Sequence, residues 1–434
     1  MKKITSLLPT FTILLLLTFL FISSCDSKKD KDMKIPNGIW RATLQQEGAV
    51  LPFNFEVNYP KSRSEDNNDT IPTFTLINGE EKILLDNVTK TGNTYTIPMH
   101  IFEGEIVAEW NAATQKLTGK WNRRSFTNAS SLDFSATPNT KIRFEANQKA
   151  NFDLSGKWET YFLSEGDSEA ALGVFEKAEA TALDGNLSTT IKGTFLTATG
   201  DYRYLFGSVS NDSLYLSCFD GSHAFLFVAT AENENTLKGK FWSGKGQPVD
   251  FISTRNPNFE LPKADTLTYL KEGYETIAFE FPNLEGKLVS LDNPKYEGKV
   301  RIVQLLGSWC PNCMDETNFL TELYSTYNPK GLEIIGLAYE QTEDFEDAKM
   351  RLERMKKRLN VEYEILFAGR ADKEFAAQTL PMLNHVMSFP TTIFIDKTGK
   401  VRKIHTGFSG KGTGEYYDTY VESTTNFVEK LLSE

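Results

Sequence analysis

The stretch Trp309-Cys310-Pro311-Asn312-Cys313 holds the plainest capacity for chemistry in this sequence. Two cysteines separated by two residues share one helical turn, so their sulfurs can bridge or open with little backbone movement. The stretch follows an apolar run, Val300 to Leu306, that reads as a strand, and it precedes a helical pattern beginning near Cys313. The first turn of a helix presents unpaired N–H groups and roughly half a positive charge, which favours a thiolate over a thiol. Cys310, nearer the exposed end of the turn, is the expected attacking sulfur and Cys313 the resolving one; the chemistry is thiol–disulfide exchange. Trp309 is expected to shield the pair on one side, with Pro311 and Asn312 bordering the substrate groove. Glu316, one turn into the helix, reads either as the group that exchanges the thiol proton or as a plain solvated helix residue. Half a zinc site is the rival reading of the cysteine pair. Zinc needs two further ligands, and His100, His223, His385 and His405 form no second metal motif, so no metal and no cofactor is expected. None of the four histidines is assigned a role.

The elements that position this dithiol occupy a long chain. At 434 residues with 40% apolar composition, two to three globular domains are expected. A net charge of −11 with no basic stripe excludes a nucleic-acid partner. Four cysteines are too few for a disulfide-stapled scaffold. Lys2 and Lys3, the apolar run Phe11 to Ile22 and the small residues before Cys25 read as a signal peptide over 1–24. The ending Ile22-Ser23-Ser24-Cys25 resembles a bacterial lipobox, which implies lipid on Cys25 and a membrane-surface anchor, followed by a polar tether over 25–35.

Residues 36–258 read as all-β, with short alternating runs split by Gly, Asn and Asp turns and one ambiguous patch at Glu169 to Ala182. The region repeats itself. Gly38-Ile39-Trp40 returns as Gly156-Lys157-Trp158, Phe102-Glu103-Gly104 as Phe219-Asp220-Gly221, and Leu117-Thr118-Gly119-Lys120-Trp121 as Leu237-Lys238-Gly239-Lys240-Phe241. Landmarks in constant order at near-constant offset indicate duplicated units, here 36–146 and 151–258, built as barrels or sandwiches or as two halves of one larger barrel. The Gly-x-Trp opening resembles the first strand of lipocalin-type barrels, which can hold an apolar ligand, and equally fits a glycine bend with a tryptophan core plug. Cys218 aligns with Ile101 and reads as a small buried hydrophobe.

After a linker at 259–271, the pattern over 272–434 alternates strands and helices and ends in a hairpin and a helix, an α/β sheet covered on both faces. The charged stretch Glu343 to Arg358 reads as a solvated helix face held by i,i+4 pairs.

This C-terminal part resembles the thioredoxin fold of the TlpA/ResA type. The resemblance rests on Trp309-Cys310-Pro311-Asn312-Cys313 at a strand-to-helix turn and on the opening hairpin through Gly286-Lys287-Leu288-Val289-Ser290-Leu291. It rests also on Glu316 three residues after the second cysteine, and on Phe389-Pro390-Thr391-Thr392-Ile393-Phe394-Ile395-Asp396. It implies that Pro390 is cis and faces the sulfurs, that Phe389 offers its backbone to an extended substrate, and that the activity is thiol–disulfide exchange in the bacterial envelope. Partners implied are protein disulfides, such as apocytochrome c cysteines, and a membrane thiol carrier as electron donor. Three departures stand out: Ser388-Phe389 before the proline, Gln304 in place of the buried acid of ordinary thioredoxin, and Asn318 where the family commonly has proline. A periplasm-facing lipoprotein acting as disulfide reductase is the leading expectation. An oxidase or isomerase shares the same chemistry. A lipoprotein that binds a ligand or partner through its β modules is the reading of a different class. A peroxidase fits less well, because the second cysteine lies within the same turn as the first.

Overall fold

Two nine-stranded antiparallel sheets, built from alternating buried and outward residues, precede the C-terminal part. They belong to a computed structural model that describes residues 34–60, 71–123, 130–146, 148–178 and 189–434. The leader and Cys25 lie outside the described residues. Among the described helices none is long and apolar enough to cross a membrane. Ile35–Glu434 forms one compact unit.

In the first sheet the opening strand Gly38–Gln46 pairs with the closing strand Ser130–Pro138, while the edge strands Glu81–Leu85 and Thr89–Thr91 do not meet, leaving a half-barrel. The second sheet runs from Gly156–Ser164 to Val249–Arg255, and an additional pairing of Asp167–Lys177 with Thr189–Thr197 closes it into a barrel. The ambiguous patch at Glu169 is therefore strand up to Lys177. No described strand is shared between the two sheets, so they are separate modules.

The repeat is visible in the geometry. Gly38 and Gly156 sit at φ 106° and 109°, a region that glycine enters without steric cost. Each lets a buried tryptophan turn inward: Trp40 Nε1 donates to the Pro36 carbonyl and Trp158 Nε1 to the Leu154 carbonyl, both at 3.0 Å. The outward pair Lys120–Asp133 returns as Lys240–Asp250. Both tryptophans are core plugs, and the second barrel is filled by rings such as Phe195 and Phe227, whose centroids are 4.8 Å apart. Phe219 of the second module enters the first module's core, 4.4 Å from Phe53 between centroids. Asn78 brackets it, donating to its carbonyl at 3.0 Å and accepting its N–H at 3.2 Å.

The C-terminal sheet has five strands in the order Glu364–Arg370, Leu332–Glu340, Val300–Leu306, Thr391–Ile395, Val401–Thr406. The first three are parallel, the fourth runs antiparallel to Val300–Leu306, and the fifth pairs antiparallel with the fourth, as in a thioredoxin fold. Helices α1 (Pro311–Tyr327), α2 (Phe345–Leu359), α3 (Lys373–Thr379) and α4 (Glu415–Ser433) complete it. Asp344 and Asp372 cap α2 and α3, each accepting an N–H three residues on. The charged face of α2 is not simply solvated, as the sequence suggested. Arg351 does pair with Asp347 one turn away, but Arg354 reaches Glu103 and the Ile101 carbonyl, and Arg358 pairs with Asp86 at 2.6 Å. These contacts tie α2 to the first β module.

Candidate active site

The dithiol lies where the fully buried central strand Val300–Leu306 ends and α1 begins. Pro311 occupies the first helical position, where its missing N–H costs nothing. Cys310 is the N-cap, and its Sγ accepts the Cys313 N–H at 3.2 Å, in the place a capping oxygen takes. The two sulfurs are not bonded to each other. Cys313 is fully buried, and burial pushes its thiol well above the ordinary range. Cys310 is also buried, at 6% exposure, although the sequence placed it at the open end of the turn. Residues of the β modules line the cavity at Cys310, which the motif alone could not reveal.

Glu316 is fully buried beneath the pair and is no solvated helix residue. Gln304 Nε2 donates to it at 2.8 Å, the Thr392 hydroxyl at 2.7 Å and the Tyr420 hydroxyl at 3.1 Å. Burial raises its pKa against these bonds, and its charge in turn acts on Cys313. Gln304, which replaces the buried acid of ordinary thioredoxin, is thus one of three residues that orient Glu316.

Phe389–Pro390 is cis and faces the dithiol, with the Phe389 carbonyl 3.6 Å from Cys310 Sγ. That carbonyl also accepts from the Ser388 hydroxyl at 3.1 Å. The buried Phe389 ring meets Trp309 edge-on at 6.0 Å. Trp309 Nε1 donates to the Tyr339 carbonyl at 2.9 Å, so the tryptophan is fixed to the neighbouring strand. Asn312 Nδ2 donates to the Phe408 carbonyl at 3.4 Å. Trp309, Cys310, Pro311, Asn312 and Phe389 all line one cavity of about 270 Å³, with residues of the β modules as its opposite wall.

Glu340 escaped the sequence reading. It closes the apolar strand Leu332–Glu340, and an acid at the end of a buried run was the available signal. It accepts the Ser308 N–H and hydroxyl, both at 2.7 Å, and so holds the loop just before Trp309. Burial pushes its pKa up to about 7, with Ser308 and Arg351 opposing. The folded state therefore binds a proton that the unfolded chain has released, and stability falls as pH rises from about 4.5 through about 7. The Glu340→Gln variant, which mimics the protonated form, gains stability relative to the parent between pH 5 and pH 8 by up to about 3 kcal/mol, read from urea midpoints at the two pH values. An unchanged difference between the two would show that Glu340 titrates alike in both states.

The sequence model of the AhpC/TSA family matches residues 273–404. A thiol-disulfide oxidoreductase ResA from Bacillus anthracis is 31% identical over 153 residues, spanning 35% of this chain and 78% of that protein. The chain belongs to the TlpA/ResA-type thiol–disulfide oxidoreductases. The ResA of Geobacillus thermodenitrificans is 32% identical over 129 residues, covering 30% of this chain and 66% of its own. Among solved structures, the thioredoxin domain of a thiol-disulfide oxidoreductase from Bacteroides vulgatus is 25% identical, with a TM-score of 0.28 over 36% of this chain and all of that one.

Proposed function

We infer that the chain is a lipid-anchored disulfide reductase of the bacterial envelope, with Cys310 as nucleophile and Cys313 as resolving thiol. The observation that carries this reading is the Cys313 N–H aimed at Cys310 Sγ, with Glu316 buried behind the pair. An N–H donor stabilises the negative sulfur that attacks a substrate disulfide. The substrate S–S bond breaks, one substrate thiol leaves with a proton, and a mixed disulfide remains on Cys310. Cys313, kept as a thiol by burial, passes its proton to Glu316 and attacks Cys310 Sγ. The second substrate sulfur leaves as a thiolate and takes a proton from solvent, and two electrons have moved from the chain to the substrate.

The substrates are protein disulfides, with apocytochrome c cysteines as one class, and a membrane thiol carrier restores the dithiol. Lipid on Cys25 holds the protein on the membrane, facing the periplasm. The segments 36–146 and 151–258 act as modules that support the thioredoxin-like part, 272–434, rather than as ligand carriers, since aromatic rings fill the second one.

Glu316→Gln keeps an acceptor for Thr392 and Tyr420 but cannot take a proton. Its resolution step slows by about 100-fold, within the range for a lost general base. Stopped-flow thiol release should then show a fast first phase and a delayed second. Loss of both phases together would assign Glu316 to folding instead. The reductase direction is tested by the dithiol's equilibrium with glutathione, which should lie well toward the disulfide.

A further inference from the structure

The second β module does more than cover the dithiol. Its turn at 198–199 lies against the loop that carries Pro390: the Ser388 hydroxyl donates to the Thr199 carbonyl at 3.3 Å. The fit is close. A Cβ on Gly407 would come 2.4 Å from the Thr199 carbonyl, and one on Gly200 would come 2.3 Å from Asn312 Nδ2. Asp201 fastens the far side of this turn, accepting the Gly410 N–H at 2.6 Å and the Arg203 N–H at 2.7 Å. The module is therefore fixed against the active site, and the 270 Å³ cavity at Cys310 is a joint construction.

His223 belongs to the β wall of that cavity. Three contacts set its ring. Nδ1 lies 3.2 Å from Asp220 Oδ2, the ring stacks on Phe225 at 4.4 Å, and the His223 backbone N–H donates to Asp220 Oδ1 at 2.6 Å, which fixes the residue beneath the ring. Asp220 is fully buried and is anchored by Arg203 Nε at 3.1 Å. Burial raises its pKa, but His223 and Arg203 outweigh this and hold it well below the usual carboxylate range. A fixed carboxylate on Nδ1 leaves Nε2 as the nitrogen free to exchange a proton. The side chain keeps 26% exposure. The other charged groups facing the cavity are Arg123, Glu169 and Asp201.

We propose that His223 is a catalytic residue supplied by the β module, giving its Nε2 proton to the departing substrate sulfur. This deepens the exchange reading and rests on it. Cys310 sulfur forms a bond to the near sulfur of the substrate, and the S–S bond breaks. Its electron pair goes to the far sulfur, which takes the proton from the imidazolium and leaves as a thiol. Neutral His223 is then reprotonated from solvent. Glu316 serves the second step, on the opposite side of the pair.

The test compares two disulfides with the full chain in its reduced form. The alkyl thiol from 2-hydroxyethyl disulfide is a poor leaving group that needs a proton, whereas 2,2′-dithiodipyridine leaves readily without one. In His223→Ala and His223→Gln, the first reaction slows by about 100-fold, while the second stays within about threefold. In the parent chain the alkyl-to-aromatic rate ratio falls as pH rises, a readout that survives if both variants fold poorly. Equal slowing of both disulfides, no slowing of either, or a pH-independent ratio overturns the assignment. Failure of the parent chain to react with either disulfide overturns the exchange reading itself, a separate outcome.

Discussion

Arg203→Met lowers the free energy of unfolding by about 3–5 kcal/mol, the usual cost of removing one partner from a buried ionic group. Arg203 is fully buried, and its guanidinium meets a carboxylate from each part of the fold. Glu81 of the first module lies 3.0 Å from Nη2, Asp220 of the second 3.1 Å from Nε, and Asp315 of α1 bonds Nη1. Burial opposes the charge on Arg203, but Asp315, Glu81 and Asp220 outweigh it. Burial also pushes the Glu81 pKa up to about 7 even with Arg203 beside it. Methionine fills much of the same volume, so the loss reflects stranded carboxylates rather than a cavity. Adding Glu81→Gln to Arg203→Met therefore recovers part of the stability, because one stranded charge is gone. Chemical denaturation of the single and double variants measures both effects. A single-variant loss below about 1 kcal/mol, the value of an exposed pair, would mean that the cluster is hydrated and does not hold the modules together.

Cys310→Ser reduces disulfide exchange by at least about 10³-fold, since a hydroxyl at this pH is a far weaker nucleophile than a thiolate. Cys313→Ser behaves differently. The first attack proceeds, nothing resolves it, and a mixed disulfide with the substrate accumulates at Cys310. Cys218→Ser leaves the rate unchanged, because Cys218 is buried in the barrel core and burial pushes its thiol well above the ordinary range. Insulin reduction by the three variants, with non-reducing gels to catch the adduct, separates these roles. Equal loss in Cys310→Ser and Cys218→Ser would remove the special position given to the pair.

The C-terminal fold is legible in the sequence because its patterns are strong and local. The run Val300–Leu306 is apolar apart from Arg301 and Gln304, as suits a strand covered on both faces, and its ends agree with the structure. Gly286 at φ 77° marks the turn of the opening hairpin, and the aspartates at 344 and 372 mark helix starts. The duplicated modules are legible for a different reason: Gly-x-Trp recurs because each first strand repeats the same bend and the same inward indole. Barrel closure is not legible. It depends on Asp167–Lys177 meeting Thr189–Thr197, whereas no equivalent pairing closes the first sheet among the described residues, and no local pattern distinguishes the two.

The site divides along the same line. Cys310, Cys313, Glu316 and Pro390 stand in short motifs and are found by reading them. Residues that act across the modules leave no such trace. Arg203 reads as part of an alternating run but lies in the connection between Gly200–Asp201 and Leu205–Ser210 at φ 65°, and its approach to Asp315 joins positions 112 apart in the chain. Ser388 was noted only as a departure, yet its hydroxyl joins the proline loop to Thr199. Cys310 is buried in the fold, whereas the motif alone reads it as an exposed sulfur.

The central claim is that Cys310 is the sulfur that meets substrate and Cys313 the one held in reserve. Brief alkylation of the reduced, folded chain with iodoacetamide, followed by peptide mass spectrometry, tests it most directly. Label should appear first on Cys310, much later on Cys313, and on Cys218 only after denaturation. Label arriving on Cys313 or Cys218 ahead of Cys310 would contradict the account.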